Sequence, residues 1–338
     1  MKRLISILAL CVAIATTSCT HKELCDNHSE HAHRFHIRVI ADYRLDWEEL
    51  GYRDWEVLWP ENYISYDLLR PDKPKGLRVV NYNPEGEHDI HNLSDPTGGI
   101  VTLFEGENDI LFYNNDTEYI VFSTHDNGAT TRATTRTVTR ATYTGSPFGE
   151  ENEETLNAPD MLFANYCHDY ISTKTLGPVD FPVVLQPLVF TYKIRYEFAE
   201  GLEYVALARG ALSGMAESVI MDTGETSDKS ATIVYDCDLT DFGARALVKS
   251  FGVPGFPNPN YPMTRSVKHG LNLEVMLKNG KLVPFDFDVT DQVNAQPHGG
   301  VIVVKDIVVK KEDGVQGSGA FDVEVDDWGP YEDIILDF

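Results

Sequence analysis

Apolar and polar residues alternate with a period of two along most of this chain, the mark of strands with one face in a core and one in water. Phe35, Ile37 and Val39 share a face. Phe190, Tyr192, Ile194, Tyr196 and Phe198 point one way, and Thr191, Lys193, Arg195 and Glu197 the other. Leu271, Leu273, Val275 and Leu277 lead into Asn279-Gly280, and Phe285, Phe287 and Val289 follow. Asn-Gly predicts a two-residue type I′ hairpin, whose central residues both need φ > 0. The runs 110–113 and 119–122 flank Asn114-Asn115-Asp116, which reads as a turn, and further strands are predicted at 301–304, 307–309 and through Phe321, Val323 and Val325. No long helical period competes. The fold class is all-β, with sandwiches favoured over a barrel at this strand spacing.

Three stretches break the rhythm. Residues 46–59 hold Trp47, Trp55 and Trp59, three of the four tryptophans, and read as a long loop or short helix. Residues 129–144 are rich in threonine and carry Arg132, Arg136 and Arg140 at four-residue spacing. β-Branched threonines argue against a helix there, so a mobile surface loop is expected. Pro178, Pro182 and Pro187 precede the strand at Phe190, and this punctuation places a domain division between His168 and Val183, taken at 172/173.

Of 338 residues, 53 are acidic and 28 basic, a net charge of −25. Such a surface repels phosphate backbones, which excludes nucleic acid as a partner. The cysteines (Cys11, Cys19, Cys25, Cys167 and Cys237) form no C-x-x-C pair and no disulfide framework. Stability is expected to come from core burial, which a chain this long supplies.

Catalytic signatures are missing: no H-E-x-x-H, phosphate-binding loop, dinucleotide fingerprint or nucleophile elbow occurs. Cys167 and His168 are adjacent, and neighbours on a strand face opposite ways, so they make a poor dyad. Asp286, Asp288 and Asp291 alternate with apolar residues as the wet face of a strand does, in preference to a calcium site, and Asp322, Glu324 and Asp326 read the same way. His28, His31, His33 and His36 lie in or beside a polar stretch with no framework to fix a metal. No enzyme activity, cofactor or metal is expected.

At the N-terminus, Lys2 and Arg3 precede an apolar run, 4–15, that ends in Thr16-Thr17-Ser18-Cys19. This reads as a secretory signal peptide, 1–18. Its apolar core falls short of the roughly 20 residues that cross a bilayer. A small residue directly before Cys19 resembles the lipobox of bacterial lipoproteins, which implies acylation of Cys19 and a lipidated tether over 19–33. An ordinary signal peptide with an incidental cysteine is the competing reading. A multiply acylated cysteine holds a chain to a membrane stably, as a single acyl chain does not.

Several blocks, in order along nearly the whole mature chain, resemble fimbrial anchor lipoproteins of gut and oral Bacteroidetes. They are His21-Lys22-Glu23-Leu24-Cys25 with His33 and Asp42-Tyr43, Asp109-Ile110-Leu111-Phe112-Tyr113-Asn114-Asn115-Asp116, Leu212-Ser213-Gly214-Met215-Ala216-Glu217-Ser218-Val219, Phe251-Gly252-Val253-Pro254, Phe285-Asp286-Phe287-Asp288-Val289-Thr290-Asp291-Gln292 and Val325-Asp326-Asp327-Trp328. The resemblance implies two tandem transthyretin-like β-sandwiches, 34–172 and 173–338, on a lipid anchor at the outer membrane and cell surface. It implies fimbrial shaft or accessory pilins as partners, joined through β-strand-mediated assembly. Tyr331, Ile334, Ile335, Leu336 and Phe338 then form either a strand donated to a pilin or the closing edge strand of the second sandwich. The arginines at 132, 136 and 140 lie too far past the first strand to be read as a pilin maturation site. The alternative function is a surface glycan-binding lipoprotein with Trp47, Trp55 and Trp59 as stacking platforms.

Overall fold

A computed structural model describes residues 35–45, 70–123, 130–257, 267–315 and 332–333. The signal and tether, the 46–59 insertion, the strand expected at Phe321, Val323 and Val325, and all five expected donor residues lie outside these. Strands supply nearly all the regular structure of the described residues. β1 (His36–Tyr43), β2 (Leu77–Tyr82), β3 (His88–Leu93), β4 (Gly98–Thr102) and β5 (Gly106–Asn114) come first. Short strands follow: β6 (Ile120–Ser123), β7 (Arg132–Thr135), β8 (Val138–Thr139) and β9 (Glu154–Asn157). β10 (Phe163–Ser172) and β11 (Val179–Pro187) precede β12 (Phe190–Glu200), β13 (Val205–Ala216), β14 (Ser218–Ile220), β15 (Ser230–Thr240) and β16 (Gly243–Ser250). β17 (Gly270–Leu277), β18 (Leu282–Asp288), α1 (Thr290–Asn294), β19 (Gly300–Val308), α2 (Lys311–Val315) and β20 (Glu332–Asp333) complete it.

Two large sheets result, in keeping with two tandem β-sandwiches. The first is seven-stranded, in the order β3–β2–β5–β10–β11–β1–β4, and the second eight-stranded, β18–β17–β13–β15–β16–β12–β19, with β9 added beside β15. Each sheet folds over on itself at one strand. β11 pairs with β1 along its length and with β10 only at Gln186 and Pro187. β15 pairs with β13 and then, from Asp238, with β16.

Period-two alternation fills the first core with Ile37, Val39, Ala41 and Tyr43 of β1, Phe112 of β5 and Val183 and Leu185 of β11. In the second core Tyr192, Ile194 and Tyr196 meet Leu271, Leu273, Val275 and Leu277. Each such side chain contributes about 1.5–3 kcal/mol when fully buried. Phe198 packs against this core only in part, and Thr191 and Lys193, expected on the wet face, are buried too.

The run 110–113 is buried on both faces. Ile110 and Phe112 enter the first core, while Leu111 and Tyr113 face a separate cluster with Val80, Ile120, Ala133, Val189, Val219 and Phe251. That cluster lies beneath a three-stranded sheet, β14–β7–β6, drawn from both halves of the chain. Asn114 ends β5 as the turn predicts, and its side chain accepts from the Phe163 N–H at 2.7 Å and donates to the Met161 carbonyl at 3.0 Å. The strand beyond, β6, joins this small sheet instead of pairing with β5.

Three expectations are revised. The surface loop at 129–144 is instead β7 and β8 followed by the buried Arg140. Threonine-rich sequence disfavours a helix, yet the same β-branching suits a strand. The β17–β18 hairpin has a three-residue loop, in which the Leu277 N–H donates to the Lys281 carbonyl and the Gly280 N–H to the Leu277 carbonyl, both at 2.8 Å. Gly280 has φ +80° while Asn279 is not among the positive-φ residues, so one left-handed residue closes the turn where type I′ needs two. The 172/173 point falls in the turn between β10 and β11, neighbours in the first sheet, which runs on to Pro187. Pro182 is tolerated because β11 has a ladder partner on one side only until Gln186.

Candidate assembly site

Glu332 and Asp333 of β20 pair antiparallel with Thr139 and Val138 of β8. The backbone next to the expected donor residues is thus held on a strand from the first half of the chain. β8 in turn rests on the outer face of the second large sheet. Val138 is 3 % exposed and packs with Ala211, Val234 and Tyr143. Beside it opens a cavity of about 340 Å³ lined by Tyr119, Val138, Arg140, Asn157, Tyr235 and Asp236, among others.

A buried polar network forms the floor. Arg140 donates to the carbonyls of Gly210 at 2.8 Å and Tyr235 at 3.3 Å. Its guanidinium lies 3.9 Å from Glu274, a carboxylate that also accepts from Arg209 Nε at 2.7 Å and Thr142 Oγ1 at 3.0 Å. Tyr196 and Tyr235 share a hydroxyl contact of 2.8 Å. Burial pushes both phenols well above their ordinary range, lifts the Tyr143 phenol to about 12 and also raises the Cys237 thiol. Burial thus holds these three phenols and the thiol in their neutral forms at neutral pH. The arrangement fastens strands.

The residues after β8 continue the fastening. Glu153 accepts the Gly214 N–H at 3.1 Å on both oxygens and the Thr232 hydroxyl at 2.6 Å. Gly214 sits at a bulge in β13 with φ +81°, and a Cβ there would come within 2.4 Å of the Lys268 carbonyl oxygen. The Leu212–Val219 block noted in the sequence is therefore a shape requirement that opens a backbone N–H to Glu153.

Elsewhere, Cys167 packs partly against the first core, while His168 turns out to Asp222 at 3.0 Å, on opposite sides of the strand as predicted. Asp286 and Asp288 lie on the exposed face of β18, and Asp288 accepts the Thr290 N–H at the start of α1. Among the described residues no group of three or more His, Cys, Asp or Glu is placed to hold a metal ion. No helix of the described residues is long and apolar enough to cross a membrane. The Arg140 network escaped the sequence reading because its members are scattered over 135 positions (140 to 274) with no spacing to mark them. The alternation Val138, Arg140, Thr142 is its one local trace.

A family profile described as a domain of unknown function (DUF5119) matches residues 67–236. A curated relative from Bacteroides ovatus, provisionally named fimbrium anchoring subunit Fim4B, is 22 % identical over 312 residues, covering 84 % of this chain and 91 % of the relative. The crystal structure of a provisionally assigned adhesin from Bacteroides ovatus superposes with a TM-score of 0.58 at 19 % identity, covering 87 % of this chain and 97 % of the other, and shows the same fold. The fimbrial anchor protein Mfa2 of Porphyromonas gingivalis aligns at 12 % identity and a TM-score of 0.41 over 80 % of this chain and 90 % of its own.

Proposed function

This chain belongs to the DUF5119 family, and on that premise we propose that it is a non-catalytic envelope protein that anchors a fimbria. The observation that carries the reading is the similarity, over 84 % of this chain, to a relative named as a fimbrium anchoring subunit, 91 % of which is covered. The described fold supports it, since a subunit of this kind works through stable sheets and strand edges and needs no reactive group. In this reading Cys19 carries the lipid that holds the chain at the outer membrane, facing the cell surface. The first sandwich extends through Pro187 and the second begins at Phe190. The partners are shaft or accessory pilins, engaged through the terminal segment that holds Tyr331, Ile334, Ile335, Leu336 and Phe338.

The test replaces Cys19→Ala in the native host and follows three readouts: fatty-acid labelling, membrane fractionation and fimbriae retained on cells. The expected result is loss of label, a soluble but folded protein, and fimbriae shed to the medium. Unchanged membrane retention overturns the lipid anchor. Retention of fimbriae on cells that have lost the protein from their membranes overturns the anchoring role.

A further inference from the structure

The two halves of the chain exchange strands in both directions. β9, from the first half, pairs in parallel with β15 over Ala231, Thr232, Ile233 and Val234, in the stretch that β16 does not reach. β14, from the second half, pairs with β7 over Thr134, Ala133 and Arg132. Neither sheet region is finished by its own half.

Side chains seal both exchanges. On one side, the Asn157 N–H donates to the Arg136 carbonyl at 3.0 Å, Thr155 Oγ1 bonds the Val138 carbonyl, and Leu156 is 2 % exposed. Arg140, Thr142 and Glu153 then tie the same strap to Gly210, Glu274 and Gly214 as described above. On the other side, Val219 and Met221 enter the cluster that holds Leu111, Tyr113 and Ala133, and the Met221 N–H donates to the Thr131 carbonyl at 2.9 Å. Separating the halves would strip ladder hydrogen bonds from two sheets and open a shared apolar cluster in a single step. A linker between independent domains has neither property.

We infer that reciprocal exchange of β9 and β14 locks the two sandwiches into one cooperative folding unit, so that neither half opens while the other stays native. This goes beyond the anchoring proposal and does not depend on it. The experiment is pulse hydrogen exchange with mass spectrometry along a urea titration of the full chain, which assigns an unfolding midpoint to each peptide. Peptides over β1, β5, β13 and β17 are expected to share one midpoint, and peptides over 153–158 and 217–221 are expected to exchange only in that same transition. Two midpoints, one for each half, overturn the inference. So does loss of protection in β9 or β14 at lower urea than the flanking sheets. Val219→Asp, which places a carboxylate in the shared cluster, is expected to split the transition in two. Should that variant not fold, the unsubstituted chain alone still decides the question.

Discussion

At the scale of single residues, charge balance around Glu274 ranks the losses. Two guanidiniums, Arg140 and Arg209, converge on this one carboxylate, which is 1 % exposed. Glu274→Gln removes the buried carboxylate on which both guanidiniums converge, and breaking a buried charge contact in this way costs about 3–5 kcal/mol. Arg140→Met leaves Glu274 still paired with Arg209 and chiefly deprives the Gly210 and Tyr235 carbonyls of a donor, about 1–3 kcal/mol. Urea unfolding of both variants should therefore find Glu274→Gln the less stable, and the reverse order would show that Arg140 acts through something other than this balance. His269 supplies a second residue-level prediction. Burial holds its imidazole down at about 4, from 6.5, and His298 is lowered to about 4 by the same cause. The unfolded chain then takes up these protons first. Stability is complete above pH 6.5 and falls as the pH drops toward 4, with His269 contributing on the order of 3 kcal/mol to that loss. Thermal unfolding across pH 7 to 4 should show the decline, and His269→Leu should reduce it to the part His298 contributes. Neither group was legible in the sequence, because a histidine or arginine says nothing of its burial until distant strands close over it.

At the scale of elements, legibility followed length. β12 and β17 run for 11 and 8 residues, enough for alternation to declare itself, and both are buried on the face predicted. β7, β8 and β9 have 4, 2 and 4 residues, and β7 and β9 each take a partner strand from 60 or more positions away, β7 pairing with the nearby β6 as well. No local period exists in so few residues, and the threonine and arginine content there pointed to a loop. The hairpin at Asn279-Gly280 was found by its residues and mistaken in its geometry, and this correction is testable. Only Gly280 is left-handed, with open space where its Cβ would go, so Gly280→Ala should cost about 1–2 kcal/mol through backbone strain alone. In a type I′ turn Asn279→Gly would relieve strain. Here the Asn279 amide donates to the Asp313 carbonyl at 2.7 Å and its oxygen accepts the Lys281 N–H at 3.0 Å. Asn279→Gly should accordingly destabilise, by roughly 0.5–1 kcal/mol for the lost conformational restriction plus the two bonds. A gain in stability on denaturant titration would restore the two-residue turn.

At the scale of the whole molecule, two tandem sandwiches could be read from alternation, while their mutual grip could not. The prolines at 178, 182 and 187 mark a strand with one free side, and the chain that joins the halves crosses between them more than once, through β7 to β10 and again through β14. On the anchoring proposal, a molecule fastened in this way is suited to carry load between the membrane and its partner. That makes the C-terminal segment the place to test the anchoring proposal. Deleting 331–338 removes the Glu332–Asp333 pairing with β8, a two-residue ladder, and keeps every described residue of the two sandwich cores and of the two strand exchanges in the chain. On the donor reading the truncated protein should fold, keep its unfolding free energy to within about 1 kcal/mol, and reach the membrane in normal amount. If residues 334–338 are donated to a pilin, fimbriae should then be found in the medium while the truncated protein stays with the cells. If they only close the second sandwich, the truncated protein should lose stability instead and cells that retain it should keep their fimbriae. Normal stability with fimbriae fully retained would remove the terminal segment from the anchoring mechanism.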